Sequence, residues 1–368
     1  MLEQAERLEE TGAGIQLSPN AARILIELGL GERLSQLAVA PTAIRIHNAA
    51  SGREIARLPL GESATQRYGA PYWVVHRGDL QAALSAAVTR QLDITVRLGL
   101  RAQDFVVHAQ GLTVSARGPA GEADVRGVAL LAADGLWSSL RSRLGHRGPP
   151  RFAGRTAWRG LIPAKEVAPE FREPVVHLWL GRNAHFVHYP VKAGRVINAV
   201  LITADRWQAP GWSEPASRTD LMARLPAAAW APPIRALAAA PEAWLKWALY
   251  DRAPIRRWYN GPAALLGDAA HPMLPFFAQG AAMAIEDAAV AAQCLAQRPD
   301  NVAAALRTYC TVRRPRTRRI ARLAAHNGLI YELGGASGWV RDAVMRAIGG
   351  ARLLNRYDWV YDWRPPAA

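Results

Sequence analysis

The chain has 368 residues, half of them hydrophobic, and a formal net charge of +15. This length supports one large domain or two ordinary ones around a substantial core, and the composition excludes a disordered chain. No apolar run reaches the roughly 18 residues that a membrane helix needs, and the acidic, polar start argues against a signal peptide.

The basic excess invites a nucleic-acid reading, but only Lys165, Lys192 and Lys246 of the 45 basic residues are lysine. Together with the many alanines, this points to compositional bias, and no nucleic-acid motif accompanies it. The densest run, Arg313, Arg314, Arg316, Arg318, Arg319 and Arg322, falls on a predicted helix and is expected to be a solvated face. A surface attracting an anionic substrate or nicotinamide cofactor is the second reading. Cys294 and Cys310 lie in predicted helices without metal-ligand spacing, so they are expected to be reduced thiols in a cytoplasmic protein, and no metal site is expected.

In chain order, residues 17–34 read as a helix, with Ser18 as cap, Pro19 in the first turn and Ala22, Ile24, Leu25 and Leu28 as an apolar stripe. Residues 43–58 alternate on both sides of Ser51-Gly52, which predicts a hairpin. Residues 76–92 are helical; 93–99, 103–117 and 124–135 are strand-like. Residues 157–203 form a β block, three helical stretches follow near 217–240, and the Pro-rich residues 226–233 read as a loop. Residues 263–267 are another strand, and the chain is mainly helical from Gln279 onward. Strands alternating with helices, interrupted by a mostly antiparallel block, predict an α/β fold with an inserted substrate sheet.

Two stretches carry the chemistry. At 263–280 an apolar strand delivers Asp268 at its carboxyl end, where ligands bind in open α/β sheets. The loop then feeds a helix beginning near Gln279-Gly280, whose N-terminus offers N–H groups to negative charge. The plainer alternative is a close-packed strand–turn–helix with a capping aspartate. At 129–144 a second strand runs into Asp134-Gly135 and a short helix with Ser138 and Arg141. Either motif alone is common; the two in this order are much more specific.

With these motifs the sequence resembles the single-component FAD-dependent aromatic hydroxylases, the class of para-hydroxybenzoate hydroxylase, and especially their salicylate, 3-hydroxybenzoate and 6-hydroxynicotinate branch. The resemblance covers nearly the whole chain. It implies an FAD-binding Rossmann-like domain with an inserted, mostly antiparallel substrate-binding sheet and a helical C-terminus. The expected FAD-binding parts are 1–70, 71–155 and 256–300, with the substrate sheet at 156–255 and a helical region at 301–368. It implies a monooxygenase that uses FAD, NADH or NADPH and O2 to hydroxylate a phenolic aromatic or N-heteroaromatic acid through a C4a-hydroperoxyflavin, as a monomer or homodimer. Carried over by motif, Asp134 and Gly135 serve the pyrophosphate and nicotinamide side, and Asp268 the ribityl chain. Pro272, Gly280 and Ala281 fall in the loop and helix that face the flavin, and Arg77 in "HRGDL" contacts FAD.

The family's opening strand, G-x-G-x-x-G turn and first helix are not found. Glu3 stands where an acidic residue binds the adenosine ribose, so Met1 is expected to lie inside the second strand of a longer fold. An oxidoreductase without oxygen insertion, or an inactive remnant, is the alternative. The halogenase pattern W-x-W-x-I-P is broken at Gly160, which weighs against halogenation. In "AHFVHYPV", strand alternation points His185 and Tyr189 one way and His188 the other. The branch places a His and a Tyr at this spacing on the substrate hydroxyl, so His185 and Tyr189 are the candidate catalytic residues; two aromatic core residues are the alternative. Pro275, Phe276 and Phe277 suggest an apolar pocket wall, and His271 reads as a structural hydrogen-bonding partner.

Overall fold

The computed structural model describes residues 1–8, 12–146, 148–207, 213–241 and 243–366. The β block forms an eight-stranded sheet. Its order is Glu214–Ala216, Trp244–Asp251, Arg151–Pro163, Val196–Ala204, Ala184–Val191, Val175–Gly181, Ala43–Asn48 and Glu54–Pro59. These strands are rich in β-branched and aromatic residues, which fit a pleated surface buried on both sides. One face packs Trp158, Phe186 and Leu201 against Leu221 and Ile234 of the helices Arg218–Ala223 and Pro232–Ala239. The other face carries Ala157, Ile202 and Leu249 and is covered by Phe276 and Leu274 from the loop after Asp268.

A separate parallel pair sets the second site. Ala263–Leu265 runs alongside Leu130–Ala132, with Leu265 opposite Ala132. Both strands therefore end on the same edge, which brings Asp134 and Asp268 to one end of the sheet. The helix Gly280–Gln297 follows and packs against the 30-residue helix Val302–Tyr331.

Several expectations are corrected. The hairpin expected at 43–58 forms, and it joins the eight-stranded sheet because Ala43–Asn48 pairs in parallel with Val175–Gly181; so distant a partner leaves no local trace. Residues 93–99 make only a bridge, Leu2 to Arg97. Two helices form near 217–240, not three. The helix after Pro19 breaks at a π turn, Ile26–Leu30, where Gly29 takes φ +78°, so Leu28 turns outward and is exposed. Ser18 does not cap this helix. Its hydroxyl instead donates to Asn20 and accepts from Gln279 Nε2 at 2.8 Å.

Candidate flavin and substrate site

Asp268 follows Gly267, whose φ of +59° favours glycine and where a Cβ would sit a tight 3.1 Å from Ala284. Asp268 is exposed, and its carboxylate makes no hydrogen bond or ion pair among the described residues. Desolvation by the surrounding chain still pushes its carboxyl above the usual range, opposed by the charges of His271 and Arg77. It is an acceptor without a donor at the end of a buried strand.

The loop behind it is fixed from two directions. Arg141, buried, donates to the carbonyls of Ala269 at 2.9 Å, Ala270 at 3.1 Å and Ala253 at 3.0 Å. Its own helix begins under Asp134, which accepts from Leu140 N at 3.2 Å, while Ser138 accepts from Arg141 N at 2.9 Å. Gly135 takes φ +74° beside open space. The two motifs are thus tied together by one arginine.

From below, Asp287 accepts from Gly267 N at 3.0 Å, from His271 and from Arg313 Nε at 2.7 Å. Burial alone pushes the Asp287 carboxyl up, but His271 and Arg313 outweigh it and hold it below its usual range. His271 is therefore a structural partner in the loop. The arginine run is not a uniformly solvated face: Arg313 is fully buried between Glu286 and Asp287, and Arg316 pairs with Glu286 at 2.7 Å. Arg318, Arg319 and Arg322 do face solvent.

Pro272 is buried in the loop, which ends at Ala278 with φ +51°. The helix at Gly280 has no side-chain cap. A Cβ on Gly280 would meet only Met273 Cγ, at 4.0 Å, so nothing in the protein demands glycine there. Ala281 keeps the first turn slim. Arg77, exposed, begins the helix Arg77–Thr89, with its N–H donating to Ala13 O at 2.8 Å. Glu3 makes its hydrogen bonds away from this cluster: its N–H donates to Arg97 O at 2.9 Å and its carboxylate accepts from Ala5 N.

A family model described as an FAD-binding domain matches residues 1–324. The chain belongs to this FAD-binding family. Its relatives include 3-amino-4-hydroxybenzoate 2-monooxygenase of Streptomyces platensis, 37% identical over 98% of this chain and 88% of the relative. Another is 3-hydroxybenzoate 6-hydroxylase 1 of Aquipseudomonas alcaligenes, 34% identical over 98% and 90%. Among solved structures, Klebsiella pneumoniae HpxO complexed with FAD and uric acid superposes with a TM-score of 0.83 at 26% identity, covering 96% of this chain and 88% of that one. This flavoprotein is a monooxygenase of the aromatic hydroxylase class, and its cofactor is FAD.

The residues present fit that cofactor. The unpartnered Asp268 carboxylate suits a polyol hydroxyl, and the open Gly280 and uncapped helix start suit the close approach of an electron-rich ring edge. Asp268→Ala in this flavoprotein is expected to weaken FAD binding about tenfold or more, the loss of a hydrogen bond to a charged group. The thermal midpoint of the FAD-free protein should stay unchanged, since Asp268 has no internal partner to lose. An FAD dissociation constant within twofold of the parent would remove Asp268 from the site.

On the sheet, His185 and Tyr189 share the face covered by the Phe276 loop, and both are buried. The His185 ring meets Phe276 and Tyr331 edge-on, each at 5.4 Å between centroids. Burial, helped by Arg155, pushes His185 down to about 3, so the imidazole is neutral, and its Nδ1 has no partner. Tyr189 is buried on the same side as Gln16, whose Oε1 accepts from Tyr72 at 2.7 Å. Gly14 is required here, because a Cβ would lie 2.6 Å from the Tyr189 ring. His188 points to the other face, stacked on His177 at 4.5 Å. His177 in turn contacts His47, 3.1 Å between ring nitrogens. Burial pushes His47 to about 4, and burial with the charge of His47 pushes His177 to about 3, so this stack is a neutral core element.

Sequence reasoning missed Gln16, Tyr72 and Arg159. The available signal for Arg159 was a charge at an alternating position inside an apolar strand, "AWRGLIP", between the inward residues Ala157 and Leu161.

Proposed function

We propose that this flavoprotein takes its electrons from NADH or NADPH and uses O2 to hydroxylate a phenolic aromatic or N-heteroaromatic acid bound between His185, Tyr189 and the Phe276 loop. The observation that carries this reading is the packing of Phe276, from the loop joining Asp268 to Gly280, against His185. One loop thereby borders both the flavin-binding residues and a buried polar pair on the sheet.

FAD, when bound and reduced, would react with O2 to supply the electrophilic oxygen atom, the second oxygen atom leaving as water. The chain's own residues prepare the acceptor. A ring is attacked readily when its hydroxyl is losing its proton. The neutral His185 imidazole has a free nitrogen to accept that hydroxyl's hydrogen bond, and Tyr189, on the same face of the strand, orients the same group. Phe276, Tyr331 and Leu274 keep the surroundings apolar and exclude water, which limits wasteful side reactions.

The test is product formation by the FAD-loaded enzyme with NADH or NADPH across hydroxybenzoates and hydroxynicotinates. At least one should accelerate reductant consumption and yield hydroxylated product in proportion. Consumption that no phenolic acid stimulates, with no product, would overturn the reading.

A further inference from the structure

Six arginines in the packed regions each have a hydrogen-bond partner. Arg23 donates to Trp363 O, Arg141 to three carbonyls, Arg155 to Glu332, Arg313 to Asp287, Arg316 to Glu286, and Arg341 to Asp342. Arg159 makes no hydrogen bond and no ion pair among the described residues. It is half-buried, and its guanidinium lies over the Trp247 ring at 3.7 Å. Burial pushes it down to about 10, with the like charge of Arg77 adding to this, so it remains a cation at neutral pH. A cation in such surroundings without an anion is costly.

The register gives its position. His185 pairs with Ile202 and Ile202 with Ala157; Val187 pairs with Val200 and Val200 with Arg159; Tyr189 pairs with Asn198 and Asn198 with Leu161. Directly paired residues share a face. Arg159 therefore lies on the face of His185 and Tyr189, two strand spacings or roughly 10 Å away along the backbone ladder. That is within reach of a long side chain across a single aromatic ring. The same face holds a second unused donor, Asn198 Nδ2, buried without a partner while its Oδ1 accepts from Gly14 N at 2.7 Å.

We infer that Arg159 is the anion anchor of the substrate: it pairs with the carboxylate of the aromatic acid, whose ring lies over Val187 and Val200 with its hydroxyl toward His185 and Tyr189. This rests on the reading of that face as the substrate site. A guanidinium suits the task because its fork matches the two carboxylate oxygens and its flat face stacks on Trp247. The inference makes the enzyme selective for acids over neutral phenols.

Calorimetric titration of the FAD-loaded enzyme with 3-hydroxybenzoate, benzoate and 3-hydroxybenzamide separates the contributions. Benzoate keeps the carboxylate and loses the hydroxyl; the amide does the reverse. In Arg159→Met, both carboxylates should bind about 10- to 100-fold more weakly, and the amide should change by less than about threefold. Arg159→Lys keeps the charge but not the fork and should fall between, and it serves as the reference if the methionine variant folds poorly. The KM for NADH, whose pyrophosphate is another anion this enzyme meets, should stay within about twofold. Equal losses for all three ligands, no loss for the carboxylates, no carboxylate binding by the parent enzyme, or a loss confined to NADH would each overturn the assignment. Because benzoate binding needs no turnover, the anchor can hold even where hydroxylation fails, and the two results are read separately.

Discussion

His185→Ala is expected to lower the rate of product formation by about 10²- to 10⁴-fold, the usual contribution of a positioned proton acceptor or its hydrogen-bonding helper. FAD content should be unchanged, and a larger share of NADH or NADPH should end as hydrogen peroxide. The reason is geometric. His185 is buried, neutral and carries an unpartnered Nδ1 against Phe276 and Tyr331. Without it a phenolic hydroxyl in this apolar surround keeps its proton, the ring stays poorly nucleophilic, and reduced flavin reacts with oxygen to no purpose. His188 is the control on the same strand. It stacks on His177 and meets Phe171 edge-on at 5.2 Å, on the sheet's opposite face. His188→Ala should lower the thermal midpoint, because it opens a cavity in a packed layer, while the peroxide share stays near that of the parent. Oxygen electrode and product assays on the two FAD-loaded variants decide between them. If His188→Ala uncouples and His185→Ala hydroxylates normally, the substrate lies on the other face of the sheet.

What the sequence made legible is what local chemistry determines. The two strand–loop–helix motifs are short and carry their acidic residues at strand ends, so Asp134 and Asp268 could be found without a fold. The alternation of "AHFVHYPV" was enough to divide His185 and Tyr189 from His188. Pairing over long separations was not legible. Nothing near residue 45 announces a parallel partner near 177, and nothing near Ser18 announces Gln279. Ser18 followed by proline has every local mark of a helix cap, yet a bond to the neighbouring Asn20 and a tertiary one from Gln279 outcompete that role. Arg313 misled for the same reason. A basic run on a helix is solvated unless a neighbouring helix brings carboxylates to it, and Glu286 and Asp287 do so here. Arg159 is not legible because its meaning depends on which strands flank it.

Arg313→Met is expected to destabilise the fold by about 3–5 kcal/mol, the cost of leaving buried carboxylates without their cation. Arg313 Nε donates to Asp287 at 2.7 Å, and its Nη1 lies 2.6 Å from Glu286 Oε2, a close charge contact without a well-aligned N–H. Both carboxylates are fully buried. Glu286 would keep Arg316 and the Asn20 amide at 2.7 Å, so most of the loss should fall on Asp287, which loses its cation and keeps His271 and Gly267 N. The pH dependence identifies the source. In the parent, Asp287 is held below its unfolded value, so it adds stability at neutral pH that is lost as the pH falls through the acid range. In the variant, burial is less opposed and the carboxyl rises, so Asp287 is a burden at pH 7 and relieves itself by protonation. The gap between variant and parent should therefore be widest near neutrality and shrink below about pH 4, close to the ordinary carboxylate range. Urea unfolding at pH 7 and pH 4 measures it. Arg313→Met combined with Asp287→Leu should recover part of the loss, since replacing a buried pair by apolar groups costs far less than breaking it. Asp287 also holds the N–H of Gly267, the residue before Asp268, so Arg313→Met should weaken FAD binding as well, from a distance and without touching the cofactor. A deficit below about 1 kcal/mol, or one that does not depend on pH, would mean that water or protonation rather than Arg313 satisfies these carboxylates.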